Sequence, residues 1–197
     1  MAAASTGSIE ALLVQRYPGV RVVKQATVQS LWGGYGQILR LHLEPSDADA
    51  PRTVVVKRVA PPPDEGGLSH ERKCRSYVVE QLFYETCAAR LDPTLCRVPA
   101  LLCSGASLRS VETLLVLEDL DADDPGFGGR RHALSVADAR ACMVWLAHFH
   151  RTFLVTRGTV WPEGMWEQVR WPGASREGKT LSGRQALILS LYAMSHV

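Results

Sequence analysis

Lys57 ends the run Thr53-Val-Val-Val-Lys57, which opens after Pro51-Arg52 and is followed by Ala60-Pro61-Pro62-Pro63. Three successive β-branched residues predict a buried strand. An ammonium near the end of such a strand needs an anionic partner or a wet cleft, because an unpaired buried charge is costly. A cation held this way can neutralise phosphate oxygens. Glu80 follows 23 residues later, after Val78-Val79 and just before Phe83-Tyr84. That spacing suits a strand, a linker and a helix that meet across a cleft. Each residue alone also has an ordinary reading: Lys57 as a strand-end lysine that snorkels to water, Glu80 as a solvated helix glutamate.

Other stretches carry chemistry-bearing residues. Trp32-Gly33-Gly34-Tyr35-Gly36 is a glycine-dense turn between two predicted strands. Glycines let backbone N–H groups approach phosphates, although such a turn is usually only a hairpin. Glu118-Asp119-Leu120-Asp121-Ala-Asp123-Asp124 is acidic, but the calcium-loop pattern fails for want of its twelfth-position glutamate. His148 and His150, two apart on a helix, face different directions and do not share a metal as i, i+4 ligands do. Gly173 to Thr180 matches G-x-x-x-x-G-K-[ST]. The preceding Val169-Arg-Trp-Pro172 makes a poor strand, and too few residues follow to build a parallel sheet, so a P-loop is set aside. The ending Ser195-His196-Val197 fits PDZ ligands, as many endings do by chance.

The elements that would position these residues are readable. Ser8 to Tyr17 predicts a short helix with Ile9, Leu12 and Leu13 on one side. Arg21 to Leu31 predicts a strand, and Leu39, Leu41 and Leu43, alternating with Arg40, His42 and Glu44, predict a half-buried one. After the Pro61–Gly67 linker a helix is expected over about Ser69 to Leu91, with Val78, Val79, Leu82 and Phe83 apolar. Arg97–Leu102 and Leu114–Leu117 read as two strands joined through Cys103-Ser-Gly105. Ser135 with Asp138 makes a capping-box-like start to a helix reaching Phe153. Trp161, Trp166 and Trp171 are spaced by five, which fits neither helix nor strand.

With 197 residues, 46% of them hydrophobic, the chain has material for one good-sized core. A net charge of +2 gives no electrostatic case for nucleic acid. The five cysteines form no C-x-x-C pair, so reduced and mostly buried thiols are expected. No basic n-region with a long apolar run and no stretch of about 18 apolar residues is present. The expected setting is soluble and cytoplasmic, with no membrane partner.

Taken in order, the glycine turn, Val-Val-Val-Lys57, Ser76-Tyr-Val-Val-Glu80-Gln-Leu-Phe83-Tyr84, Leu115-Val-Leu-Glu118-Asp119-Leu120-Asp121 and Leu146-Ala-His148-Phe149-His150 resemble one family. It is the aminoglycoside phosphotransferase-like superfamily, closest to its choline- and ecdysteroid-kinase-like branch. The likeness runs from the first helix to about Leu154. It implies an α+β fold: a kinase-like N-lobe over 1–118, with an antiparallel sheet and one cleft helix. A hinge and first C-lobe helix would occupy 119–156, and a divergent, poorly ordered tail 157–197, leaving the C-lobe incomplete. The resemblance implies ATP as the nucleotide. Lys57 would hold its α/β-phosphates, Glu80 would pair with Lys57, and Gly33, Gly34 and Gly36 would lie over the nucleotide. Glu118 and Leu120 would offer a backbone carbonyl and N–H to adenine. The family's His-x-Asp-x-x-x-x-Asn loop and later metal-binding aspartate do not occur: no aspartate follows Phe153, and His196 is the one later histidine. The expectation is therefore weak ATP binding, no Mg²⁺ site and no catalysis by this chain alone. The alternative is a non-catalytic nucleotide-binding or interaction fragment. A further expectation is that Cys142, Met143, Leu146, Phe149 and Phe153 leave an apolar face that would fold against the Trp-rich tail, be covered by a protein partner or drive aggregation.

Overall fold

The computed structural model describes residues 3–63, 67–105, 113–122, 133 and 135–154. Asp123, Asp124 and the following Pro125-Gly126-Phe127, the tryptophans of the tail, the Gly173–Thr180 match and the C-terminal tripeptide lie outside them. Three α-helices, α1 (Ala3–Arg16), α2 (Leu68–Leu82) and α3 (Val136–Leu154), accompany five strands among the described residues. These are β1 (Arg21–Ser30), β2 (Gly36–Glu44), β3 (Thr53–Val59), β4 (Leu101–Gly105) and β5 (Thr113–Glu118). The fold is α+β, and the strands form one antiparallel sheet in the order β1-β2-β3-β5-β4. Among the described residues no helix is long and apolar enough to cross a membrane. The described residues fall into two units. One lies within Met1–Gln81 and Pro99–Arg130, the other within Leu82–Val98 and Arg131–Val197. Leu82–Val98, assigned by sequence to the 1–118 lobe, thus clusters with α3.

In the first unit the period-two alternation of β3 sorts its side chains onto two faces. Val54 and Val56 join Leu39, Leu41 and Val116 beneath Ile9 and Leu13 of α1. Val55 and Val59 face the other way, toward Cys74 and Tyr77 of α2 and Ile38 of β2. Both faces of β3 are therefore covered, and β2 keeps its predicted alternation, with Leu39, Leu41 and Leu43 buried between the more exposed Arg40, His42 and Glu44 and Ile38 buried on the α2 side. β1 is an edge strand with mostly exposed side chains. Two register shifts and the charges of Arg21 and Lys24 keep its free edge from templating another strand.

Three boundaries differ from the sequence reading. The first helix begins at Ala3, earlier than Ser8. The strand placed at Arg97–Leu102 is instead Leu101–Gly105; Pro99 has no N–H for a ladder, and Leu101 is the first residue paired with β5. The helix expected to reach Leu91 stays α-helical only to Leu82 and widens to π geometry over Phe83–Cys87, ending in a 3-10 turn at Ala88–Arg90. At this point the Thr86 hydroxyl donates to the Leu82 carbonyl at 2.6 Å, competing for the acceptor of a regular turn. The five cysteines form no disulfide, and Cys74, Cys87 and Cys96 are buried.

In the second unit α3 opens with the reciprocal cap its sequence predicts. The Asp138 N–H donates to Ser135 Oγ at 3.1 Å, and the Ser135 N–H donates to Asp138 Oδ2 at 3.1 Å. Its expected uncovered apolar face is corrected in part. Phe149 is 0% exposed and Phe153 is buried, both ring-packed on Phe83, while Arg90 lies 5.1 Å over Phe153. Trp145 Nε1 donates to the Arg97 carbonyl at 3.0 Å. Cys142 and Met143 remain exposed. The π-helical turns supply the apolar surface that the sequence reading lacked. Phe149→Ala is expected to cost about 3–5 kcal/mol in urea unfolding. Met143→Ala should stay within about 0.5 kcal/mol; equal costs would mean that the Met143 face is covered too.

Candidate functional site: a buried lysine–glutamate pair beside a glycine turn

Lys57 points from β3 to the α2 side of the sheet, and Glu80 comes down from α2 to meet it. Lys57 Nζ donates to both carboxylate oxygens of Glu80 at 2.7 Å. Lys57 is 3% exposed and Glu80 6%. A pair this dry gains little over apolar residues of the same shape, yet breaking it strands a charge. Tyr77, one turn before Glu80, sets its ring 5.4 Å from Lys57 Nζ. Burial, then the charge of Glu80, then Tyr35 and Cys74 push the Tyr77 phenol up to about 12.

The glycine turn lies on the same side. Trp32–Gly34 forms one 3-10 turn in which the Gly34 N–H donates to the Leu31 carbonyl at 3.2 Å, and the Leu31 N–H to the Gly36 carbonyl at 2.9 Å. Gly33 and Gly34 take φ of 72° and 77°, the left-handed region that other residues enter at a cost. A Cβ on Gly34 would meet nothing within 4 Å. Gly36 answers to a different constraint: a Cβ there would fall 2.0 Å from the Arg58 carbonyl oxygen on β3. Its absence lets β2 and β3 close up at the register pair Gly36–Val59.

Aromatic and polar groups link the turn to α2. Tyr35 hydroxyl and His70 Nδ1 are 2.8 Å apart, and His70 Nε2 lies 3.3 Å from Cys74 Sγ. Lys73 Nζ sits 3.9 Å over the Trp32 ring and 4.6 Å over that of Tyr35. The contact with the exposed Trp32 contributes about 0.5–1 kcal/mol.

Glu118 and Leu120 lie at the exit of β5, apart from the glycine turn in the sheet order. The Glu118 N–H donates to the Ala100 carbonyl at 2.9 Å, and the Ala100 N–H to Glu118 Oε2 at 3.1 Å. Asp119 through Ala122 form a turn around Leu120. Sequence reasoning missed what holds that turn. Arg40, from β2, reaches across the sheet to place Nε 2.9 Å from Asp119 Oδ2 and Nη2 3.0 Å from Asp121 Oδ2. Burial works to lower the Arg40 pKa, but hydrogen bonds and charges of both aspartates leave it above its ordinary value. The lone charged residue among Leu39 and Leu41 was the available signal. Among the described residues no three His, Cys, Asp or Glu side chains group as a metal site. His148 and His150 lie in the second unit, where His150 Nε2 is buried without a hydrogen-bond partner among the described residues.

No protein-family model, curated protein or solved structure matches the chain.

Two outcomes are expected of the pair and its neighbour. Glu80→Gln leaves Lys57 without its counter-charge and should destabilise by about 3–5 kcal/mol in urea unfolding, whereas Lys57→Met with Glu80→Leu should recover most of that loss. The Tyr77 phenol holds its proton more tightly folded than unfolded. Its contribution is complete below pH 10 and is lost as pH rises to about 12. Tyr77→Phe should therefore flatten the alkaline fall in stability across that window.

Proposed function

We propose that the first unit is the nucleotide-binding half of a small-molecule phosphotransferase of the kinase-like type. The chain in hand would bind ATP weakly and not transfer its phosphate. The observation that carries this reading is the bidentate Lys57–Glu80 pair at 2.7 Å between a central strand and a helix. Such a pair is a poor way to gain stability and a good way to hold an ammonium in one direction. The five-stranded antiparallel sheet with α2 on the Lys57 face, and a left-handed glycine turn on that same face, agree with it.

In this reading Lys57 neutralises the inner phosphates while Glu80 holds its ammonium in place. Gly34 leaves the turn open to the phosphate chain, Gly33 lies beside it under Lys73, and Glu118 and Leu120 face the adenine. ATP would supply the transferable phosphoryl group. Transfer needs a residue to orient the acceptor hydroxyl and Mg²⁺ across the phosphates, and the sequence offers neither a His-x-Asp loop nor an aspartate after Phe153.

One observation favours a second reading. Exposures of 3% and 6% leave the pair almost no solvent, as expected of a structural pin between β3 and α2. Calorimetry separates the two. ATP should bind the wild-type chain with little gain from Mg²⁺. Binding should weaken about tenfold or more, about 1.4 kcal/mol, in the Lys57→Met, Glu80→Leu double variant, which keeps the packing. Equal binding by that variant would leave the pair a structural pin. Phosphorylation of choline, ethanolamine or a steroid alcohol at about 1 s⁻¹ or faster would overturn the claim that this chain does not transfer.

A further inference from the structure

Along α2, Lys73, Tyr77 and Glu80 stand at i, i+4 and i+7 and share one face. That face touches two separate parts of the sheet side. Glu80 meets Lys57, while Lys73 reaches the glycine turn, and the Tyr35 and Tyr77 rings, 6.1 Å apart, bridge the two. The two lysines are treated differently. Lys57 is neutralised by a carboxylate. Among the described residues Lys73 has no acidic partner within salt-bridge distance, and its ammonium lies on the faces of Trp32 and Tyr35. Aromatic faces hold a cation without cancelling its charge. Its Nζ also lies against the turn itself: a Cβ on Gly33 would come 3.2 Å from it. Trp32 is 80% exposed, and the space over Gly34 is open.

An uncancelled ammonium on a half-buried lysine, set against a left-handed glycine backbone and next to the open space over Gly34, is the chemistry of an oxyanion contact. We infer that Lys73 is a second phosphate-binding residue, taking the terminal phosphate of a nucleoside triphosphate and leaving Trp32 to do so. This rests on the nucleotide reading above and extends it, because it assigns the two lysines to opposite ends of the phosphate chain. Seven residues of helix rise, about 10 Å, separate Lys73 from Glu80. Two long side chains converging from that distance can grip the two ends of a triphosphate.

The test compares ATP, ADP and inorganic tripolyphosphate on the full chain, by calorimetry and by tryptophan fluorescence. The variants are Lys73→Met, which keeps an aliphatic chain on Trp32, Lys73→Arg, and Trp32→Phe. Far-UV circular dichroism verifies folding of each. Wild type should prefer ATP to ADP by about tenfold. Lys73→Met should lose that preference with ADP affinity unchanged, and Lys73→Arg should keep it. ATP, but not ADP, should change an emission that Trp32→Phe lacks, since only the terminal phosphate draws Lys73 off the ring. If Lys73→Met binds ATP over ADP as wild type does, the inference fails and the nucleotide reading stands. If tripolyphosphate binds in a Lys73-dependent way while adenine adds nothing, the anion site stands and the nucleotide reading fails. If wild type binds none of the three, both fail.

Discussion

The ion pair between Lys57 and Glu80 constrains everything around it. β3 is flanked by β2 and β5 and has buried residues on both faces, so the ammonium enters a strand covered on both sides. Only one helix position meets it. Sliding α2 by a turn would leave Lys57 and Glu80 each buried alone, at a cost of several kcal/mol. An apolar pair would tolerate such a shift better. The pair thus sets the register of α2 on the sheet, and with it the placement of Tyr77, Cys74, Lys73 and His70, which the helix carries toward the glycine turn.

Arg40 exerts a comparable constraint at the other end of the sheet. It sits on β2, level with Val55 and, one strand further, Leu117, so its guanidinium must cross β3 to reach Asp119 and Asp121. The turn after β5 is consequently held from two sides: by Arg40 through the aspartates, and by Ala100 through Glu118. A planar, always-charged fork suits this role, and a lysine would not make both contacts with the same geometry. Leu120 lies in a turn fixed to the sheet, which is the condition for a backbone group to serve as a stable docking point.

How far the sequence revealed this depends on whether a residue's partner was local. Lys57 stood out because a charge broke a β-branched run, and Glu80 because it interrupted an apolar helix face. Either irregularity was ordinary alone; the pairing follows from two periodicities and one linker. The Ser135–Asp138 cap was legible for the same reason, since both partners lie within one turn. Arg40 was not, because alternation with Leu39 and Leu41 describes a polar outer face equally well, and its partners lie about 80 residues away. The π-helical turns were also hidden. Phe83-Tyr-Glu-Thr-Cys87 has helical composition, and only the Thr86 hydroxyl competing for the Leu82 carbonyl marks the change. That change gives Phe149 and Phe153 their surface, which is why the sequence alone left them uncovered.

The three glycines show the same division. They read as one phosphate-cradling group, yet different forces require them. Gly36 is demanded by the neighbouring strand, since any side chain would strike the Arg58 carbonyl, and this holds whatever the turn binds. Gly33 and Gly34 are demanded by their left-handed backbone, in a turn whose surface is open at Gly34. A hairpin needing only to reverse direction could do so with a two-residue turn. This turn is longer, exposes a tryptophan, and carries a lysine from a helix on its rings. The contact with the exposed Trp32 contributes little to stability, whereas a cation without a carboxylate partner beside a glycine backbone suits an anion. Lys57 is the opposite case, buried and already paired. A phosphate chain gripped at one end by a fixed charge and at the other by a released one would be positioned without either lysine leaving the helix and strand that carry it.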